Sequence, residues 1–236
     1  MTTFFITGAN RGIGLELARQ AVASGARVFA TARQPAQATA LQALAEGSGD
    51  RVRIIELDVA DEGSIARAAA HVRDEPIDVL INNAGVIGQA KSAAGQGRTA
   101  LDMEADEFLS VMRVNVLGPL LVTRALLRNL RAAHGGKVAV ISSMMGSFAY
   151  TGAEHIAYST SKTAVNRLFA ALARELAGAR IPVAILSPGW VRTDMGGPNA
   201  TLTVEESAAG LLREIARTDM ALSGAFRSYA GATLTW

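Results

Sequence analysis

Short, nearly continuous apolar runs alternate along this chain with longer stretches whose apolar residues recur at helical spacing. That alternation limits the fold more than any other feature. Val138-Ala139-Val140-Ile141 and Val183-Ala184-Ile185-Leu186 show no polar alternation, so each suits a strand covered on both faces of a parallel sheet. Strands are expected at residues 4–7, 27–31, 51–57, 79–82, 137–142, 182–187 and near 225–229. Helices are expected at 12–24, 36–45, 62–73, 105–131, 156–176 and 204–217. Right-handed crossovers wind such elements into an α/β, doubly wound, seven-stranded parallel sheet with helices on both faces. No domain boundary interrupts residues 1–236; the loosest stretch, 88–97 with Gly95-Gln96-Gly97, reads as a loop within one domain.

Composition excludes several classes of function. Half of the 236 residues are apolar and under a fifth are charged, which favours a sizeable core over disorder. The net charge is only +2, and the basic residues form no run or stripe of the kind that binds nucleic acid. There is no cysteine, so disulfides and thiolate metal sites are out. His71, His134 and His155 share no metal-ligand spacing, and no metal is expected. The N-terminal residues lack a basic stretch and run straight into strand-like sequence, so no signal peptide is expected. Asn115, Pro119 and Arg124 break the longest apolar stretch, so no membrane partner and a cytoplasmic location are expected.

Two motifs carry chemistry. In the first, Phe4-Phe5-Ile6 leads into Thr7-Gly8-Ala9-Asn10-Arg11-Gly12-Ile13-Gly14, and Leu15, Leu17, Ala18, Ala21 and Val22 follow at helical spacing. The context is strand, turn, helix. Glycines there let the backbone approach a pyrophosphate, and the helix N-terminus offers it free N–H groups. In the second, Tyr158 and Lys162 stand four residues apart, one helical turn on a shared face, ahead of the apolar face of Val165, Leu168, Phe169, Leu172 and Leu176. A phenol beside an ammonium can move a proton if its pKa is brought down from about 10. Ser143 and its rival Ser142 end a strand at the carboxyl edge, where such sheets place ligands. Either hydroxyl could donate to a substrate oxygen as charge builds there. Asn115, inside an otherwise apolar helix, reads first as a polar residue that kinks it.

These motifs, with Leu57-Asp58-Val59, Asn82-Asn83-Ala84-Gly85 and Ser187-Pro188-Gly189-Trp190-Val191, resemble the short-chain dehydrogenase/reductase family in order and over nearly the whole chain. Within it the chain looks most like the short carbonyl reductases grouped with C-factor and sniffer. Ser142-Ser143-Met144-Met145-Gly146-Ser147, Pro188 to Gly197 and Trp236 carry that closer match.

The resemblance implies a single-domain Rossmann fold with a coenzyme turn at 7–14, a catalytic segment at 115–162 and a substrate loop at 188–203. It implies a catalytic set of Asn115, Ser143, Tyr158 and Lys162, with the second serine favoured and Asn115 holding a water against the lysine. It also implies coenzyme contacts from Gly8, Asn10, Arg11, Gly12, Ile13, Gly14, Asp58, Val59, Asn83, Ala84, Gly85, Pro188, Gly189, Val191 and Thr193, with Tyr158 and Lys162, the lysine bonding the nicotinamide ribose. The step from Ser143 to Tyr158 is longer than the family's usual one, so the loop between them is expected to be extended.

The second strand ends Thr31-Ala32-Arg33 with no carboxylate to hold ribose hydroxyls. Arg33, with Arg11 on the same ribose in the family arrangement, therefore points to NADP(H) over NAD(H). The expected reaction is hydride transfer between NADP(H) and a carbonyl or alcohol, as in a broad carbonyl reductase for apolar aldehydes or ketones. Two alternatives stand beside it. One is a C-factor-like signalling or coenzyme-sensing protein. The other is a ketoacyl-thioester reductase docking its carrier on a basic face of Arg124, Arg128 and Arg131. Met144, Met145, Phe148, Tyr150, Trp190 and Met195 are the expected lining of an open substrate pocket, with Arg192 facing outward. A homodimer through helices 105–131 and 156–176, or a tetramer, is expected from the apolar surplus of Val111, Val114, Leu121, Val122 and Leu126.

Overall fold

The strands fall close to where the sequence places them. They are β1 (Thr3–Ile6), β2 (Arg27–Ala32), β3 (Val52–Glu56), β4 (Val79–Asn82), β5 (Lys137–Ile141), β6 (Val183–Ser187) and β7 (Phe226–Ser228). They pair in the order β3-β2-β1-β4-β5-β6-β7, each pairing parallel. The structure is a computed structural model that describes residues 1–88 and 99–236; apart from Gly88, the loop expected at 88–97 lies outside the described residues.

The helices are α1 (Gly12–Ala23), α2 (Thr39–Gly47), α3 (Glu62–His71), α4 (Ala105–Met112), α5 (Gly118–Ala125), α6 (Leu127–Ala132), α7 (Ile156–Glu175) and α8 (Val204–Arg217). Successive strand residues alternate between the two faces. Phe5, Phe29, Leu80, Val140 and Ile185 pack with residues of α3, α5, α6 and α7, whereas Ile6, Ala30, Ile81, Ile141 and Leu186 pack with α1, α2 and α8. This double cover is why the strands read as unbroken apolar runs. A reciprocal cap starts α8: Glu206 N–H donates to Thr203 Oγ1 at 3.1 Å, and Thr203 N–H to the Glu206 carboxylate at 2.9 Å.

The single helix expected over 105–131 is instead three pieces. A π turn at Arg113–Leu117 separates α4 from α5, with the Gly118 N–H reaching back to Arg113 O, and α5 ends before Leu126. Pro119 supplies a cause. It has no N–H to give the carbonyl four residues earlier, that of Asn115, and its ring crowds that carbonyl. The run Ala105–Ala125 has the length and apolar content of a membrane span. In this fold it lies over the sheet, with Val116 and Val122 inside the core. Val111, Val122 and Leu126 are therefore buried rather than surplus, and Leu109 and Leu117 are the large apolar residues this region exposes.

Candidate active site

At the carboxyl edge of the sheet the chain leaves β1 and β4 in opposite directions along the strand order, which opens a crevice there. Thr7, 1% exposed, ties the two strand ends together. Its Oγ1 accepts from the N–H groups of Asn83 and Ala84, both at 3.0 Å. Asn83 Nδ2 donates to the carbonyls of Thr7 and Gly8 at 3.0 and 3.1 Å, so this side chain braces the glycine turn from behind. Gly14 has no alternative here, because a Cβ would lie 2.2 Å from Gly8 O and 2.5 Å from Asn83 Nδ2.

The turn delivers α1 with its N-terminus at the crevice. No side chain caps that end, and no acidic residue occupies its first turn. Its N–H groups are thus available to an anion, as the pyrophosphate of a dinucleotide requires. Asp58, Val59, Ala84, Gly85, Pro188, Gly189, Val191 and Thr193 follow the same edges of β3, β4 and β6. Asp58 accepts from Ala60 N at 2.9 Å, while Val59 turns its side chain into the core. Thr193 stands across from Gly12, its Cγ2 3.3 Å from where a Cβ would be.

The two cations expected at the ribose differ. Arg33, just past β2, is exposed, with no ion pair among the described residues. Arg11 pairs across the crevice with Asp194 at 2.5 Å, both side chains well exposed. Sequence spacing gave no sign of that pair.

Behind the half-buried Tyr158 the crevice wall is buried. Lys162, 5% exposed, donates from Nζ to Ile141 O at 2.8 Å, and Nζ stands 5.4 Å from the centre of the Tyr158 ring. Burial pushes the Lys162 ammonium down to about 8. Burial also raises the Tyr158 phenol, and a hydrogen bond with Ser143 pulls it partly back. The lowering expected from Lys162 is therefore not what the protein alone shows: desolvation sets the direction, and the opposing pull comes from Ser143.

Ser143 and Ser142 have separate tasks. Met145 N–H donates to Ser143 Oγ at 3.1 Å, which leaves the hydroxyl proton for the phenol oxygen. Ser142 donates to Asn166 Oδ1 and is sealed in the interior. Asn166, which the sequence reading did not single out, also donates to Gly146 O at 3.3 Å and so holds the serine segment to α7. Gly146 rests on the Lys162 backbone, where a Cβ would come within 2.7 Å of the carbonyl carbon.

Asn115 braces rather than reaches out. Its Nδ2 donates to Val86 O at 2.8 Å and Ser161 Oγ at 2.9 Å, and its Oδ1 accepts from Val86 N at 2.9 Å. Ser161 in turn donates to Tyr158 O at 2.6 Å. With both of its side-chain donors engaged, Asn115 has no side-chain N–H left to give a water near the lysine.

The expected pocket lining divides. Met144, Trp190 and Met195 are exposed around the crevice mouth, and Trp190 Nε1 donates to Gly196 O at 2.8 Å, which folds the substrate loop on itself. Tyr150 turns to Glu154, its hydroxyl donating at 3.0 Å, and Phe148 lines a different groove on α7. His155 begins α7 in the left-handed region, at φ 55°. Arg192 is exposed, as expected.

Residues 2–201 match the model of the short chain dehydrogenase family. The chain belongs to that family. Among its relatives, C-signal of Myxococcus xanthus is 40% identical over 71% of this chain and 98% of its own length. Two solved carbonyl reductases cover both chains in full. Sniffer of D. melanogaster is 30% identical with a TM-score of 0.91, and the Pseudomonas aeruginosa PAO1 enzyme, in complex with NADP, is 36% identical with a TM-score of 0.84. This short chain dehydrogenase thus shares its whole fold with oxidoreductases of the carbonyl reductase type.

Proposed function

We propose that the protein is an NADP(H)-dependent carbonyl reductase acting on apolar aldehydes or ketones, with the reverse alcohol oxidation available at the same site. The observation that carries this reading is the phenol of Tyr158, joined to Ser143 and backed by the buried Lys162, whose Nζ lies 5.4 Å from the ring centre, at the edge that also presents the uncapped end of α1. A bound nicotinamide coenzyme supplies the hydride. Ser143 donates to the substrate oxygen as charge builds on it. Tyr158 then delivers its proton to that oxygen as the Ser143 hydroxyl turns to it from the phenol, and the Lys162 ammonium stabilises the phenolate left behind. Asn115, through Ser161 and the Tyr158 carbonyl, keeps the phenol in register.

Choice of coenzyme rests on Arg33, exposed at the end of β2 with no ion pair among the described residues, and on the NADP in the Pseudomonas relative. The substrate class rests on Met144, Trp190 and Met195 around the mouth, since flexible thioethers discriminate weakly. A homodimer is proposed through the face that carries Leu109 and Leu117, 62% and 49% exposed, in the cytoplasm. The likeness to C-signal keeps one second reading, a signalling protein whose output is coenzyme occupancy. NADPH oxidation with matched aldehydes, ketones, keto acids and acyl thioesters tests these together. Turnover of several uncharged carbonyls is expected. A hundredfold preference for an acyl thioester or keto acid overturns the substrate class, and coenzyme binding without turnover of any of them favours the second reading.

A further inference from the structure

An open groove of about 650 Å³ lies along α7, reaching Gly146 and Asn166 behind the serine segment, and its lining includes none of the expected coenzyme contacts. One wall is α7 and the turn after it, where Ala170, Ala173 and Ala177 present small side chains, and Met220 and Trp236 also line the groove. The walls are held by packing: Gly224 approaches Ala173 so closely that a Cβ would lie 3.0 Å from the alanine methyl group, and the Trp236 ring stacks on the buried Phe226 at 5.8 Å. Apolar side chains at its rim remain in contact with water, Phe148 at 84%, Trp236 at 46% and Met220 at 38% exposure.

The groove also carries charge of one sign. Arg167 and Arg174 both line it, seven residues apart and so on one face of the helix. Both are exposed, and neither makes a hydrogen bond or ion pair among the described residues. Among the described residues, no acidic one lines the groove. An uncharged apolar body matches the floor, but it leaves the two guanidiniums without a partner. An anion of small size satisfies the guanidiniums but not the floor. A molecule with both parts satisfies the whole surface, because a guanidinium binds a carboxylate through two parallel N–H bonds.

We infer that this groove is a second binding site, separate from the crevice, for an amphipathic carboxylate with an unbranched apolar body such as a medium-chain alkyl acid. Its occupancy is independent of the proposed carbonyl chemistry, and so is its test. The protein carries two tryptophans, so Trp190→Phe leaves Trp236 as the reporter of the groove. With NADPH at saturation to fill the crevice, dodecanoate below its micelle concentration should change Trp236 fluorescence in a saturable way. Dodecanol and acetate should bind at least tenfold more weakly, and Arg167→Gln with Arg174→Gln should weaken dodecanoate at least tenfold. Absence of a saturable change overturns the site, as does equal binding of dodecanol. A dimer that dodecanoate splits in sedimentation also overturns it, since the groove then belongs to a second copy of the chain. Should the double variant fail to fold, the comparison of the three ligands on the parent protein decides alone.

Discussion

The two halves of the crevice are built on opposite terms. On the proton-transfer side Lys162, Ser161, Asn115 and Asn166 are each 5% exposed or less, and every one is fixed by named hydrogen bonds. On the phosphate side the backbone is just as fixed, with Thr7 and Asn83 bracing the turn. The charges there are nevertheless free in water, Arg33 without a partner among the described residues and Arg11 held only by an exposed Asp194. Chemistry that needs shifted pKa values has to exclude water, whereas recognition of a phosphate needs only cations within reach. Substitutions on the first side should therefore be severe, and substitutions of the second side's cations graded.

The largest expected effect is that of Tyr158→Phe. Turnover should fall about 10²–10⁴-fold while coenzyme affinity holds, read by steady-state kinetics beside a direct NADPH titration. Near-normal turnover would break the contrast at its stronger end.

Next comes Arg33→Ala. A charge-assisted bond contributes roughly 1.5–3 kcal/mol, so NADPH affinity should drop at least about tenfold while NADH affinity stays within a factor of about two. Equal losses for both coenzymes would mean that Arg33 does not read the 2′-phosphate.

Burial of Lys162 can be read without any substrate. Its ammonium sits at about 8, below the ordinary value of 10.5, so between those values the unfolded chain binds more protons than the folded one. Stability should therefore rise as pH climbs from about 8 toward 10, by at most about 1.4 kcal/mol per unit, and Lys162→Met should abolish that part of the rise. Above about 10 the raised phenol of Tyr158 acts in the opposite sense, because the unfolded chain then loses its proton first. Identical pH profiles for the variant and its parent would show that the lysine is not desolvated.

The smallest effect belongs to Asp194→Asn. An exposed pair contributes about 0–1 kcal/mol, so releasing Arg11 should tighten NADPH by up to about fivefold and leave NADH alone. Unchanged NADPH affinity would mean that Asp194 does not compete with the phosphate for Arg11.

The sequence by itself determined the sheet, its two-sided cover, the glycine turn and the Tyr158–Lys162 pair. Each of these is a local pattern, since a strand buried on both faces must be apolar along its length and a helix sets residues four apart on one side. Tertiary structure decided what depends on partners distant in the chain. Pro119 and Asn115 lie inside one apolar stretch, yet only the folded chain shows a π turn there rather than a break. Ser142 and Ser143 are neighbours with the same hydroxyl. Asn166, packed behind the first, assigns one to the interior and leaves the other to the phenol. Arg11 and Asp194 meet across a crevice that brings together residues 183 positions apart. The direction in which burial moves a pKa is likewise absent from any motif, because desolvation is a property of everything packed around the group.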